Sequence, residues 1–597
     1  MSRLTREQAA AVAAPTSDDV ALVEALRADL AAAEFTNDAL SAVLGEEAVA
    51  ALDRDQIVPG QLRVQQLLQD EHPPASAVMS ALWLLDLEVS AGQLAAAFPR
   101  TGLDGLRRLG LVLLAGAGSG RPDDGGPVLP AVDLRPYQVG AAREGASAAD
   151  LWVTSDLGAH QVDGALPPEH VLGIGQASLT LASTTHRRRV ATALDLGTGC
   201  GIQLFHLLDH AEHVVGTDLS ERALAFARFN LILNAEALGL DPRRLQDRVE
   251  LLPGSLLEPV AGRRFDLIVS NPPFVITPRT AEEAAAAETG DTGDGGEERY
   301  TYRDGGRVGD ELMAELVSTL PDALADGGTA QLLGNWEIPA AGEEDGLGED
   351  AAEDAVAGED VPAGPDWSTR PRRWLAALDA AERSAGRSAA PVDAWFLQRD
   401  RQDGPGYAET WLRDAAEERD VVDFRRRYAA YLRDFRLRGV AEVGFGMIWL
   451  RRRPADEAGE PWRRFEELTH PVEQPLGPTI GATTERADRA RREPEAVLGE
   501  RLVAASDVTD ERHQRFGASD PEIILARQGA GLRRVRPVSS GAAGVLGAAD
   551  GEFAADQLIT AVGALLDDGV VDVEALTDSL REEVLELVVD GFLVPAE

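Results

Sequence analysis

Between about residues 170 and 335, short β-rich runs alternate with stretches of helical periodicity, and this limits the folding of the chain more than any other feature. The runs are VATALDL, EHVVGTD, RVELLPG, FDLIVSN and GTAQLLGN. Such alternation marks a parallel sheet covered by helices on both faces, an α/β arrangement. Two later runs, AWFLQRD and VAEVGFGMIWLRRR, bring the expected sheet to seven strands.

The chain is 597 residues long, enough for about three or four folding units. Apolar spacing is helical from Asp18 to about Leu114. The stretch then reads as helix, turn, helix and two short strands around a Gly/Pro/Asp turn, the order of a winged helix. The C-terminal runs QLITAVGALLDDG, VDVEALTDSL and REEVLELVVDGFLVP repeat that grammar in degenerate form. The expected organisation is a helical module over 1–145, a catalytic α/β domain over 146–455, a linker or irregular stretch over 456–519, and a second helical, winged-helix-like module over 520–597. Helix-turn-helix shapes also serve in packing and protein docking, and the C-terminal copy has Asp and Glu where a recognition helix needs Arg.

The formal charge of -44 sets an unfavourable background for phosphate backbones, so any nucleic-acid contact needs a local Arg-rich face. Two blocks concentrate the acid: 281–298 has seven acids and no base, and 341–366 has ten acids and no base. Both read as disordered insertions, because acid interleaved with Ala and Gly buries too little surface to offset ordering. No run of 18 apolar residues is present, the N-terminal stretch lacks the apolar segment of a secretory signal, and Cys200 is the single cysteine. These features predict a cytoplasmic chain with no membrane span, disulfide framework or metal site.

The run ALDL leads into Gly197-Thr198-Gly199-Cys200-Gly201 and then a helical stretch. Glycines at a strand-to-helix turn permit tight backbone geometry and bring a ligand close to main-chain N–H groups, although dinucleotide enzymes use a similar loop. Asp218 ends the second run, 17 residues past Gly201, where a carboxylate can accept from ribose hydroxyls or cap a helix. Asp195 precedes the loop and faces the same expected cleft. The fourth run ends in Ser270-Asn271-Pro272-Pro273-Phe274. Two prolines hold this backbone extended and remove two donors, leaving the Asn271 side chain and the Pro272 carbonyl as an acceptor pair for a planar NH2, with Phe274 free to stack on it.

Taken together, LDLGTGCG, VVGTDLSERALAFARFN, RVELLPGSLLEP and FDLIVSNPPF resemble the class I S-adenosylmethionine-dependent methyltransferases, in the branch that methylates amino nitrogens. The resemblance covers about 190–335. It is most similar to the release-factor glutamine-N5 enzymes, with ribosomal-RNA guanine-N2 and adenine-N6 enzymes close in pattern. It implies a Rossmann-like sheet and S-adenosyl-L-methionine as cofactor. It also implies that Asp195, Gly197, Thr198, Gly199 and Gly201 border the methionine part, and that Asp218 with Leu219 borders the ribose. Gly254, Ser255 and Leu256 would border the adenine, with Asn271, Pro272, Pro273 and Phe274 at the accepting amine and Asn271 also lining the cofactor pocket. Ser255 stands where the family usually carries Asp, and VLGIGQASLTLAS lacks the acid that the glutamine enzymes carry before the first strand.

The implied activity is methyl transfer to a planar amino nitrogen of a macromolecule. The candidate partners are a release factor or ribosomal protein on one side, and ribosomal RNA, transfer RNA or DNA on the other. The alternative is a binding or regulatory protein that keeps the fold without turnover. His206, His210 and His213 fall on or after the first helix, away from the Asn motif, and read as structural. In FRRRYAAYLRDFRLRG, residues 424–439, the aromatics Phe424, Tyr428, Tyr431 and Phe435 form one helical face. That face suits packing on the sheet more than stacking on bases.

Overall fold

The structure is a computed structural model that describes residues 4–52, 54, 56–114, 128–140, 148–164, 166–279, 303–340, 366–386, 392–414, 421–454, 457, 459–566 and 573–596. The acidic block 281–298, and 341–366 apart from Asp366, lie outside the described residues.

A mixed sheet of eight strands carries the α/β part. In chain order these are β1 (Val190–Leu196), β2 (Ala211–Asp218), β3 (Val249–Pro253), β4 (Phe265–Ser270), β5 (Leu324–Pro339), β6 (Val392–Asp403), β7 (Val440–Arg452) and β8 (Arg463–Glu467). Their spatial order is β8-β6-β7-β5-β4-β1-β2-β3. Strands β1 to β5 pair in parallel, while β7 runs antiparallel to both β5 and β6. The order reverses direction between β1 and β4, so the crevice beyond their C-terminal ends is the topological switch point where open α/β sheets bind ligands.

All seven strands expected from the sequence are present, and β8 is an eighth. It comes from 456–519, expected to be a linker, which also forms helices Gly477–Arg492 and Pro494–Leu498 and strands Arg501–Ala504 and Val508–His513. The charge that made this stretch read as solvated is paired: Arg463 meets Asp379 at 2.6 Å, Arg491 meets Asp488 at 3.1 Å, and Arg492 meets the same aspartate at 3.2 Å.

The chain divides into two compact units, Met1–Ala182 with Arg189–Glu466 and Ser183–Arg188 with Glu467–Glu597. No division falls at 145 or at 519. In the first unit one apolar cluster runs from Leu26 and Trp83 through Leu134 and Trp152 to Leu204 and Phe226, so the helical module and the sheet share a core. Its helices Ala75–Trp83, Ala91–Ala97 and Gly102–Arg108 are followed by the pair Val112–Leu114 and Val128–Pro130, the order of a winged helix. Buried Asp29 fixes the third of these helices by accepting from Thr101 N and Oγ1, both at 2.8 Å. In the second unit, helices Ser540–Ala548, Ala555–Leu566 and Val573–Asp590 pack around Val545, Ile559, Val584 and Leu587, next to a sheet of Asp550–Ala554, Arg501–Ala504 and Leu593–Pro595. Among the described residues no helix is long and apolar enough to cross a membrane.

Helix α1 (Ile202–Leu208) follows the glycine loop and α2 (Glu221–Leu233) follows β2. Fully buried Asn230 on α2 accepts from Thr154 N and Oγ1 and donates to the carbonyls of Thr154 and Cys200. One amide thereby joins the hairpin strand Ala149–Ser155 to the end of the glycine loop. Asn230→Ala strands those backbone groups, at about 1–3 kcal/mol for each buried group left unpaired. We expect its denaturant midpoint to fall clearly, with a visibly smaller fall for Arg228→Ala at an exposed position of the same helix.

Candidate functional site

Pairing register gathers the polar residues at the switch point. Asp195 on β1 pairs with Val269 on β4 and with Gly216 on β2. Paired residues share a face and side chains alternate with a period of two, so continuing the alternation puts Asp195, Asp218 and Asn271 on one face at the C-terminal edge. Ser270 Oγ donates to the Leu196 carbonyl at 2.7 Å, tying the tip of β4 to that of β1.

The loop between β1 and α1 has positive φ at Gly197 (78°), Gly199 (54°) and Gly201 (96°). At Gly201 a Cβ would also lie 3.4 Å from the Cα of Ala227, because α2 passes there. Sequence reasoning expected the loop to offer its N–H groups to a ligand. Instead, those of Gly197 and Thr198 donate to the Thr217 carbonyl at 2.9 Å, that of Gly201 to the Thr198 carbonyl at 2.9 Å, and that of Gly199 to Asp218 Oδ2 at 2.8 Å. Four donors that could have cradled an anion are thus used internally, and two carboxylates stand beside them. A pyrophosphate is badly served by such a loop. A cation is well served.

Asp195 is 1% exposed and accepts from Thr198 Oγ1 at 2.5 Å. Burial outweighs that bond and pushes its carboxyl up to about 7. Burial also raises Asp218, against hydrogen bonds from the backbone of Ser220 (2.9 Å), Gly199 and Leu219. Three backbone donors leave the Asp218 carboxylate one of its four lone-pair sites for a further donor. The Leu219 side chain is 68% exposed. Beyond β3, Gly254 donates to the Asp218 carbonyl at 3.0 Å and adopts φ 146°, where a Cβ would fall 2.5 Å from Pro259 Cγ. Ser255 accepts from Glu258 N at 3.0 Å through its carbonyl, and Leu256 takes φ 46°. The turn is therefore pinned to β2 beside Asp218.

Asn271 Oδ1 is buried with no hydrogen-bond partner among the described residues. An unpaired buried amide oxygen costs about 1–3 kcal/mol unless a ligand completes it. The Pro272 carbonyl accepts from Phe274 N at 2.8 Å and has one lone pair left. The Phe274 ring packs edge-on to Trp411 with centroids 6.4 Å apart, and Phe274 bridges to Asp304. Arg279, paired with Asp304 at 2.6 Å, holds the chain where it leaves this turn.

His206 is buried with Nε2 2.6 Å from Tyr137 Oη, a packing role as expected. Burial pushes the Cys200 thiol up to about 12, so it stays neutral. Tyr431 and Phe435 are buried with Tyr407, and Phe424 stacks on Tyr428 at 6.0 Å, so the aromatic face of the helix Val421–Leu437 packs inward. Among the described residues no group of three or more metal-ligating side chains occurs. No local pattern marks Asn335, Tyr407 or Trp411, yet the fold sets Trp411 against Phe274, Tyr407 on the chain leaving the turn at Ile276, and Asn335 on the Tyr407 hydroxyl.

Residues 172–288 match the family model described as Methyltransferase small domain, and residues 32–122 match a domain of unknown function, DUF7059. The chain is 38% identical over 141 residues to the release factor glutamine methyltransferase of Geobacter sulfurreducens, covering 23% of this chain and 43% of that one. It is 36% identical over 141 residues to the ribosomal protein uL3 glutamine methyltransferase of Xanthomonas campestris pv. campestris, covering 23% and 38%. It is 43% identical over 101 residues to the release factor glutamine methyltransferase of Cereibacter sphaeroides, covering 16% and 30%. The chain spans less than half the length of these curated relatives. The glycine loop, both aspartates and the Asn-Pro-Pro-Phe turn all lie within residues 172–288, the span that matches the Methyltransferase small domain model.

Proposed function

We propose that this chain transfers a methyl group from S-adenosylmethionine to the side-chain amide nitrogen of a glutamine in a protein. One observation carries the reading: Asn271 Oδ1 is buried and unpartnered among the described residues, directly after the strand that pairs with the one bearing Asp195. The carboxylates suit a cofactor that is cationic at sulfur and at its amine. The open amide oxygen suits an NH2 donor. The similarity to glutamine methyltransferases favours an amide over a nucleic-acid base, and so does the charge of -44. A scaffold without turnover has no use for a buried acceptor left open.

S-adenosylmethionine supplies an electrophilic methyl on a sulfonium. Asp218 would accept from the ribose hydroxyls, the turn Gly254-Ser255-Leu256 would border the adenine, and Asp195 with the loop from Gly197 to Gly201 would face the methionine part. Asn271 Oδ1 and the remaining lone pair of the Pro272 carbonyl accept the two amide N–H groups and aim the nitrogen lone pair. Those bonds oppose delocalisation into the amide carbonyl and make the nitrogen a better nucleophile. Held there, S-adenosylmethionine would supply the methyl group and leave as the neutral thioether, and the accepting nitrogen would lose one proton to water. No strong base is required before attack. Positioning and electrostatics supply the rate.

The test is transfer of labelled methyl to total protein, RNA and DNA, followed by mass mapping of the product. Label on a glutamine amide supports the reading, and label confined to nucleic acid overturns the choice of substrate. Asp218→Ala should weaken S-adenosylmethionine binding about tenfold or more by calorimetry. Asn271→Ala should leave that affinity within about twofold and slow transfer by roughly 10²–10³. Equal loss of binding in both variants would contradict this division of roles. Asp195 adds a pH dependence. Its carboxyl, pushed up to about 7, is protonated below that pH and charged above it. A cation binds the charged form better, so affinity should rise as pH increases from 6 to 8, and Asp195→Asn should flatten the profile.

A further inference from the structure

We infer that Tyr407, braced by Asn335, is a positioning residue that sets the pose of the Asn-Pro-Pro-Phe turn for methyl transfer. The inference rests on the functional reading above and extends it to a helix outside the matched domain. Pro272 and Pro273 have no N–H, so main-chain bonds cannot tie down the turn at its reactive residues. The next three donors must do so. Phe274 N goes to the Pro272 carbonyl at 2.8 Å, Val275 N to the Arg303 carbonyl at 2.8 Å, and Ile276 N to Tyr407 Oη at 2.8 Å. Of these three, only the last reaches a side chain.

Tyr407 lies on α3 (Gly404–Asp414), in the connection between β6 and β7. Its ring is fully buried, stacked on Phe445 with centroids 5.8 Å apart and edge-on to Phe435 at 5.5 Å. Those contacts would be met equally by phenylalanine, so the hydroxyl is accounted for by its hydrogen bonds. Asn335 Nδ2 donates to the same oxygen at 3.2 Å, and Asn335 is itself fully buried on β5. Burial holds the Tyr407 ionisation well above its ordinary value, so the hydroxyl stays neutral at working pH. Trp411 lies one helical turn further along and places its ring against the edge of Phe274. The helix thus grips the turn at Phe274 and the chain leaving it at Ile276. Through Ile276 the hydroxyl acts on where Asn271 Oδ1 points. It does not touch the acceptor.

Tyr407→Phe tests this, because it keeps the ring and removes one oxygen. Acceptor is supplied as a ribosome and release-factor protein fraction, with saturating S-adenosylmethionine. The maximal rate of transfer should fall roughly tenfold to a hundredfold. The amount of acceptor giving half-maximal rate and the calorimetric affinity for S-adenosylmethionine should each stay within about twofold. Asn335→Ala should lower the maximal rate in the same direction, and the double variant should be no slower than Tyr407→Phe alone, since both act through one hydroxyl. Hydrogen exchange gives a readout independent of turnover. Peptides spanning 273–278 should exchange faster in Tyr407→Phe, whereas those spanning 195–220 should not change. An unchanged maximal rate, a matching loss of cofactor affinity, or unchanged exchange at 273–278 would overturn the inference. A wild-type chain that transfers no methyl would sink the functional reading instead, with the exchange measurement still deciding the contact.

Discussion

The hydrogen bond from Gly199 N to the Asp218 carboxylate is the contact on which the site depends. It locks the glycine loop, which leaves β1, against the tip of β2, and Gly254 N then fastens the turn after β3 to the Asp218 carbonyl. One residue thereby fixes three consecutive strand ends. The arrangement has an electrostatic cost. Asp195 and Asp218 are both raised by burial, and the charge of Asp218 further disfavours that of Asp195 through a low-dielectric crevice. Within the loop Thr198 Oγ1 and Gly199 N each donate to one of these carboxylates, and a bound cation would offset their charge further.

On the other side of the switch point the logic is that of an open acceptor. Ser270 ties β4 to β1, Asn271 follows with its amide oxygen unpaired, and two prolines carry the chain out of the sheet with no donors of their own. Rigidity then has to come from outside the turn, from Arg303, Tyr407 and Trp411. On the proposed reading, cofactor and acceptor would be held by separate groups of residues that meet at β1 and β4. Loss of either group is expected to show as loss of binding or of turnover, not of both.

Much of this was legible in the sequence. The seven main strands are short apolar runs in a repeated alternation with helices, and the glycine loop, Asp218 and the Asn-Pro-Pro-Phe turn follow strand ends at fixed places. What escaped depended on partners distant in the chain. Strand β8 read as linker because Arg463 looks solvated until its partner Asp379, 84 residues away, is known. The boundary expected at 145 vanished because Asn230 and the shared apolar cluster join the hairpin to α2. Tyr407 is 131 residues from Ile276 and belongs to no local pattern. The glycine loop was read correctly in place and wrongly in detail, since its donors turn inward to Thr217, Thr198 and Asp218.

A crystal structure of the chain with S-adenosylhomocysteine tests the account most directly. It should show the ribose hydroxyls on Asp218, the adenine against Gly254 to Leu256, and the sulfur facing the open oxygen of Asn271. A nucleoside bound away from the ends of β1, β2 and β4, or an Asn271 side chain turned out of the crevice, would contradict it.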